Sequence, residues 1–410
     1  MAVNSSYLPD TDSSMIEAWI LQIDDVIDNF DIDFSIMPRT PSPSKRQRTD
    51  QLPLDPNATP RVSNAPTLSS NTSTTSSGRQ SGSVSPKKRE LELRQAIDFP
   101  LERRAYKEMQ NPPQIVKDLV ALTRSASIPH QFKERMAAKA NPLDPPLDSW
   151  FRPELSTESP DIQADQDYVF KRLSKITENS KHCQQRLAHE SSWNDTVHAP
   201  LLELAFDDNN IGQDVYYQNI THCRVYPDFR DQSPFLQEAK VDYAIFLNPA
   251  KNSNLDVSLK KYRSASRSNK VVHFQTSDEA NTPVAISIET KSHSSNSAIV
   301  GPAQLATWLR AHFRHLESLP NSSADALPML PVVFVDGTKW RADFAVRTSN
   351  ELVIWQGLEI GSSEDLRGCY MIISCLQRLI MWCREEFSIW WENAVHDISL
   401  SDTVCDDISQ

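Results

Sequence analysis

The feature that most limits what this chain can fold into is the run VAISIETKS at residues 284–292. Val284, Ala285, Ile286 and Ile288 are apolar on both parities, so a strand built from them is covered on both faces, which calls for a sheet with helices packed above and below it. The run then sets Glu289 and Lys291 two residues apart, with their Cβ atoms projecting to one side of the strand. Taken alone, that pair is either a surface ion pair of small energetic consequence or the rim of a polar site.

Neighbouring segments supply the rest of such a sheet. DVYYQNITHCRVYP (214–227) and EAKVDYAIFLNP (238–249) read as strands, and LPVVFVDGTKWRADFAVRT (330–348) carries Asp336-Gly337 between two strand-like runs, a strong signal for a two-residue hairpin. ELVIWQGLEIGS (351–362) adds one more strand. Helical periodicity predicts helices over about 165–187, 189–206, 301–319 and 364–394, and residues 90–140 read as helical with proline interruptions. Helix, three strands, helix, strands, helix describes an α/β domain with a mixed sheet flanked by helices.

The hydrophobic fraction of 39% lies below the roughly 45–50% of globular domains, and the deficit is concentrated at the N-terminus. Residues 1–37 hold eight acids and no Lys or Arg, and Ser14 to Glu17 has the form of a capping box ahead of Ile16, Trp19, Ile20, Ile23, Ile27 and Phe30 at helical spacing. This acidic amphipathic helix either docks on the folded domain, offers its apolar face to a protein partner, or stays unfolded. Residues 38–89 are a Ser/Thr/Pro-rich basic linker that cannot bury a core and is expected to be disordered. Its clusters Lys45, Arg46, Arg48 and Lys87, Lys88, Arg89 resemble nuclear import signals, the alternative being solubilising charge. The expected boundaries place a helical N-terminal part at 90–188, the principal domain at 189–396 and a flexible tail at 397–410.

Removing both N-terminal segments from the totals of 42 basic and 54 acidic residues leaves 33 and 44 for positions 90–410, a net charge of −11. A domain this acidic meets a polyanion only locally, through a basic patch or a bound metal. The six cysteines show no C-x-x-C and no zinc-like pairing with His, no signal peptide precedes them, and no apolar run is long enough for a membrane span, so an intracellular, non-membrane protein is expected.

Asp242 stands at the start of one buried strand, and Glu289 and Lys291 at the end of another. If the two strands are neighbours, Asp242, Glu289 and the Thr290 carbonyl line one gap, and hard oxygen ligands of this kind suit Mg²⁺ or Mn²⁺. HESSWNDTVHAPLLELA, AKVDYAIFLNP, PVAISIETKS, QLATWLRAHFRHL, LPVVFVDGTKW, LEIGSS and LRGCYMIISCLQRLIMW follow one another over roughly 190–395. In that order they resemble the PD-(D/E)XK nuclease superfamily, and more closely the PD-(D/E)XK nuclease-like domain proteins of fungi. The resemblance implies a restriction-endonuclease-like αβββαβ core and metal-dependent hydrolysis of nucleic acid, DNA before RNA. Asp242 and Glu289 then hold the metal, and Lys291 orients the attacking water and stabilises charge on phosphate. Glu190, or Glu203 on the same helix, matches the acid of the family's first helix. Gln304, four residues before Trp308, matches its Q-x-x-x-aromatic element.

The sequence departs from the pattern in two places. No proline precedes Asp242, and Pro227-Asp228 lies on an expected turn instead. The link from 248 to 283 is long for neighbouring strands and carries Lys260, Lys261, Arg263, Arg267 and Lys270, which either overhang the metal site as a nucleic-acid contact or are solvated loop charge. His189, His198, His293, His312 and His315 have no metal spacing, and His198 reads as a packed histidine. Trp193, Trp308, Trp340, Trp382, Trp390 and Trp391 read as core or helix-interface residues. No phosphate-binding glycine loop and no G-x-S-x-G is present. Two functions remain: a metal-dependent nuclease, or a nuclease-like module without turnover that binds nucleic acid or protein.

Overall fold

The computed structural model describes residues 85–396 except 139, 141, 144, 155–158, 208–213, 237–238, 266–268, 277–281 and 294–296. The amphipathic segment near the N-terminus, Lys45, Arg46, Arg48, Arg267 and the tail from 397 lie outside the described residues.

Seven strands form one mixed sheet: β1 (Leu101–Ala105), β2 (Val215–Asn219), β4 (Tyr243–Leu247), β6 (Val284–Lys291), β7 (Leu330–Asp336), β8 (Lys339–Arg347) and β9 (Leu352–Ser362). Their spatial order is β1-β9-β8-β7-β6-β4-β2, and a two-stranded ribbon of β3 (Arg224–Val225) and β5 (Phe274–Gln275) stands apart. The helices are α1 (Pro86–Arg94), α2 (Gln114–Arg124), α3 (Lys133–Ala137), α4 (Pro160–Gln185), α5 (Glu190–Trp193), α6 (Ala199–Phe206), α7 (Asn254–Ala265), α8 (Ser297–Glu317), α9 (Leu366–Trp382) and α10 (Ser388–Ala394). No helix among the described residues is long and apolar enough to cross a membrane.

The αβββαβ core runs through α5 and α6 into β2, β4 and β6, which pair antiparallel in turn. Helix α8 then carries the chain back, so that β7 lies parallel to β6. Strands β8 and β9 continue antiparallel, and β1 closes that edge parallel to β9. Helix α8 packs on β6 and β7, while α9 lies on β9 and against α2, α4 and α6. Strand β4 is buried along its whole length, and β6 until Lys291, as its apolar residues of both parities require. Trp193, Trp308, Trp340, Trp382 and Trp391 are core residues.

Strand β1 corrects the helical reading of residues 90–140. LERRA is made of strong helix formers and only Leu101 is buried, so nothing marks it as a strand; pairing with the backbone of β9 makes it one. The expected helix over 189–206 is continuous, but Asn194–His198 forms a π turn within it. Pro200 sits just beyond, where it has no N–H to donate and where its ring crowds the preceding turn, a recognised cause of such local rewinding. The expected β7–β8 hairpin forms with Gly337 and Thr338 as its two turn residues, one position beyond Asp336-Gly337, because Asp336 still pairs with Lys339; Gly337 takes φ +60° as the first turn residue.

A buried ionic cluster pins the N-terminal stretch to the domain. Arg310 of α8 is fully buried, with Nε 2.9 Å from Asp231 Oδ2 and its terminal nitrogens bonded to Asp98 and the Phe99 carbonyl. Arg314 contacts both acids, and the Phe99 ring lies under Arg310, Arg314 and Arg347. Burial alone would raise the Asp98 carboxyl; the bond from Arg314 and the charges of Arg310 and Arg314 outweigh it and hold the group at about 2. Because this pKa falls on folding, the stabilisation is complete above the unfolded value near 3.8 and is lost as pH falls toward about 2. Arg310→Met is expected to destabilise the domain by about 1–3 kcal/mol, because the Phe99 carbonyl loses its donor and Asp231 keeps only Arg314 as counter-charge, read as a lower urea midpoint at unchanged slope.

Candidate active site

Strands β4 and β6 are antiparallel neighbours, with Tyr243 opposite Ile288 and the Asp242 N–H donating to the Ile288 carbonyl at 3.1 Å. Asp242, just ahead of β4, and Glu289, just after Ile288, thus come from adjacent strands at one end of the sheet, near enough for Asp242 to oppose ionisation of Glu289. Glu289 has no exposed surface, because β6 at this point is still flanked by β4 and β7 and covered by α8. One of its oxygens, Oε1, lies 2.6 Å from Lys291 Nζ without hydrogen-bond alignment, and Oε2 has no hydrogen-bond partner among the described residues.

Lys291 Nζ touches three oxygens: Glu289 Oε1 at 2.6 Å, the Thr290 carbonyl at 2.7 Å and Glu190 Oε2 at 3.2 Å. Burial pushes Glu289 well above the ordinary carboxylate range, against the pull of Lys291 and with added repulsion from Asp242 and Glu190. Glu190 is raised for the same first reason. Burial would lower Lys291, but Glu289, Asp242 and Glu190 together raise it, so the ammonium keeps its proton. Glu203, the other helix acid, pairs with Arg172 at 2.6 Å on the surface instead.

Asp242 directs Oδ2 to the Thr290 N–H at 2.8 Å and the Thr290 hydroxyl at 2.9 Å. The same hydroxyl lies 2.8 Å from the Asn194 side-chain amide, which lies 2.9 Å from His198 Nδ1; His198 Nε2 is 3.1 Å from the Gly337 carbonyl. Burial lowers the His198 ring to about 4 despite the bond to Gly337, so it is neutral and has one N–H, which the carbonyl claims. Nδ1 must then accept. The structure sets Asn194 Oδ1 toward both groups, and turning the amide over puts its NH₂ there instead, donating to His198 and to the Thr290 oxygen and leaving the hydroxyl proton for Asp242. His198 is the packed histidine expected, between Trp193 and Trp340.

The remaining residues singled out from sequence go elsewhere. Gln304 donates to the Lys240 carbonyl, two residues before Asp242, so it fixes the start of β4 and does not reach the carboxylates. Trp308 donates to Ser287 beneath the sheet. Lys260, Lys261 and Arg263 lie on α7, which leaves the end of β4 opposite Asp242; Lys260 pairs with Asp256 at 2.6 Å, and Lys270 pairs with Asp228 at 2.6 Å. The basic segment therefore does not overhang the site. Asp228 is on a single turn, Pro227–Phe229, as expected. Lys87, Lys88 and Arg89 begin α1, so the helix starts inside the stretch expected to be disordered linker, and Lys88 Nζ lies 3.6 Å from the centre of the Phe235 ring. His312 and His315 belong to a buried aromatic cluster with His273.

Residues 135–388, more than half of the chain, match the family described as the PD-(D/E)XK nuclease superfamily. The chain belongs to the PD-(D/E)XK nuclease superfamily. Comparison with curated proteins and with solved structures finds no match. Asp242, Glu289, Thr290 and Lys291 lie within the matched residues.

Whether those residues suit the divalent ion such nucleases use is a question of donors. Among the described residues no three His, Cys, Asp or Glu side chains group as a ready metal site. Two carboxylate oxygens are nevertheless free for one: the buried Glu289 Oε2, and Asp242 Oδ1, which takes no hydrogen bond among the described residues. Mg²⁺ is commonly held by one or two carboxylates with water and substrate oxygens filling its other positions, so this pair fits a hard cation. The Thr290 carbonyl, the third expected ligand, here accepts Lys291. Sequence reasoning did not reach Asn194, although Glu190, Asn194 and His198 recur at i, i+4 and i+8 as polar positions.

Burying Glu289 makes the site a source of instability. Its folded pKa is raised, so its contribution is fully present below the unfolded value near 4.5 and is lost as pH rises through the folded value. Glu289→Gln is expected to stabilise the metal-free protein at neutral pH by about 0.5–2 kcal/mol and to flatten the decline of Tm above pH 5, measured by thermal unfolding in EDTA.

Proposed function

We propose that this domain hydrolyses phosphodiester bonds in DNA, with Mg²⁺ or Mn²⁺ held by Asp242 and Glu289. The observation that carries the reading is Glu289: a fully buried carboxylate with an unpartnered oxygen, near Asp242 at one end of the sheet, with a protonated lysine against its other oxygen. Neutral packing has no use for that arrangement, whereas phosphoryl chemistry needs oxygen donors and a fixed cation at one place.

A bound divalent ion supplies positive charge at a phosphate oxygen and makes a coordinated water acidic enough to attack near neutral pH. The protein's own groups account for the rest. Asp242, fixed by two bonds from Thr290, presents Oδ1 toward the site. Lys291 carries the charge that offsets a developing phosphorane oxyanion and holds the water in line. Glu190 grips the ammonium from the first helix and so sets its direction. Gln304 holds Lys240 and with it the start of β4.

A second reading, a nuclease-like module that binds nucleic acid or protein without turnover, rests on the same ammonium. With Glu289, Glu190 and the Thr290 carbonyl already around it, Lys291 compensates the site without any metal. Incubating the purified protein with supercoiled, linear and single-stranded DNA and with RNA in Mg²⁺ or Mn²⁺ separates the two. The nuclease reading expects metal-dependent cleavage that Lys291→Ala and Asp242→Ala each reduce by at least about 10²–10³-fold, with Glu203→Ala unaffected. Equal residual activity in wild type and both variants would leave the binding module standing.

We also infer a nuclear location from Lys45, Arg46 and Arg48, since the other basic cluster is part of α1. A protein partner for the acidic segment 1–37 belongs to the same proposal. Replacing Lys45, Arg46 and Arg48 with Ala should move a fluorescent fusion out of the nucleus; an unchanged distribution refutes the signal.

A further inference from the structure

A domain with a net charge of −11 needs cations close to the site if it is to hold a phosphate chain there, and those of α7 depart from the wrong end of the sheet. The strand register shows where others stand. Lys291 faces Asp336, which faces Lys339; Glu289 faces Phe334, which faces Arg341. Lys339 and Arg341 therefore share the face and the end of the sheet that carry Glu289 and Lys291. They lie two strand spacings away, about 10 Å, and about 6.8 Å from each other along β8.

Both have donors to give. Lys339 is exposed and forms no ion pair among the described residues. Arg341 lies 4.7 Å over the Phe334 ring and sets Nε 2.9 and 3.1 Å from the two oxygens of Asp343. Its terminal nitrogens have no partner among the described residues, and the side chain is 28% exposed. Asp343 is buried and takes the Gly357 N–H at 2.9 Å, where Gly357 adopts φ +100° in an irregular stretch of β9. A buried carboxylate thus fixes one edge of the guanidinium and leaves the other edge outward, a fork already oriented for a phosphate. The acids opposite, Asp336 and Glu359, form no ion pair with either residue; Asp336 lies 3.4 Å from His293.

We infer that Lys339 and Arg341 form a phosphate-binding track on β8 that holds the nucleic-acid backbone beside Asp242, Glu289 and Lys291. The inference rests on nucleic acid being the substrate, but not on turnover. Arg341 and Lys339 bind adjoining phosphates, and the sequence of the bases is not read here.

The test is binding of a fluorescent DNA duplex and of a single strand to the full chain, in EDTA, followed by anisotropy over a range of KCl concentrations. Lys339→Ala and Arg341→Gln are each expected to weaken binding and to reduce the slope of log K against log salt by about 0.9 on duplex and about 0.7 on single strand, additively in the double variant. Lys260→Ala with Lys261→Ala should leave the slope unchanged. Because Arg341→Gln strands the Asp343 charge, the surface variant Lys339→Ala keeps the test readable if it misfolds, and Arg341→Lys, which keeps the charge, should retain the slope. A wild-type slope in Lys339→Ala, or no DNA binding by the wild type, overturns the track. Cleavage in Mg²⁺, measured separately, distinguishes the two readings: cutting with an unchanged slope removes the track alone, and a reduced slope without cutting removes only the nuclease.

Discussion

The structure turns on one electrostatic constraint, a carboxylate with no access to water at the end of a fully covered strand. Glu289 is tolerable there because Lys291, two residues on, lies against it, and Lys291 in turn is held by Glu190 from a different element. Removing Lys291 would leave the Glu289 charge without water or counter-charge, a loss of several kcal/mol. The sheet, the first helix and α8 must all be in place for this trio to exist. The polar site is thus a product of the complete fold and not of the local sequence.

Much of that fold was legible. Apolar residues of both parities in 243–247 and 284–288 announced covered strands, and Asp336-Gly337 announced the hairpin that orients β8. Strand β1 was not legible, because its residues favour a helix and only the edge of β9 persuades them otherwise. The course of the basic link was legible in principle. A connection between antiparallel neighbours joins the end of one to the start of the next, so it lies opposite the end that carries Asp242 and Glu289. Asn194 lay in a visible polar stripe with Glu190 and His198. What spacing does not tell is that its partner is a threonine nearly a hundred residues away.

The charge distribution follows a similar logic. Several of the domain's arginines are tied to acids, as in the Arg310 and Arg314 cluster, where three segments are joined at the cost of local basicity. Such ties stabilise the fold and remove those arginines from any role toward a polyanion. Lys339 and Arg341, which keep donors, stand on the strand next to β7 at the face and end that carry Glu289 and Lys291, which makes their position more informative than the net charge of the chain.

The π turn at Asn194–His198 has a geometric consequence of its own. It inserts one residue into a continuous helix and so shifts the angular phase of everything before it by about 100° relative to everything after. Leu201, Leu202 and Leu204 keep their places in the core while Glu190 and Asn194 are turned toward the end of β6. One surplus residue therefore separates two demands that a uniform helix would force to share a single face: packing the domain, and delivering a carboxylate and an amide to the point where the sheet opens.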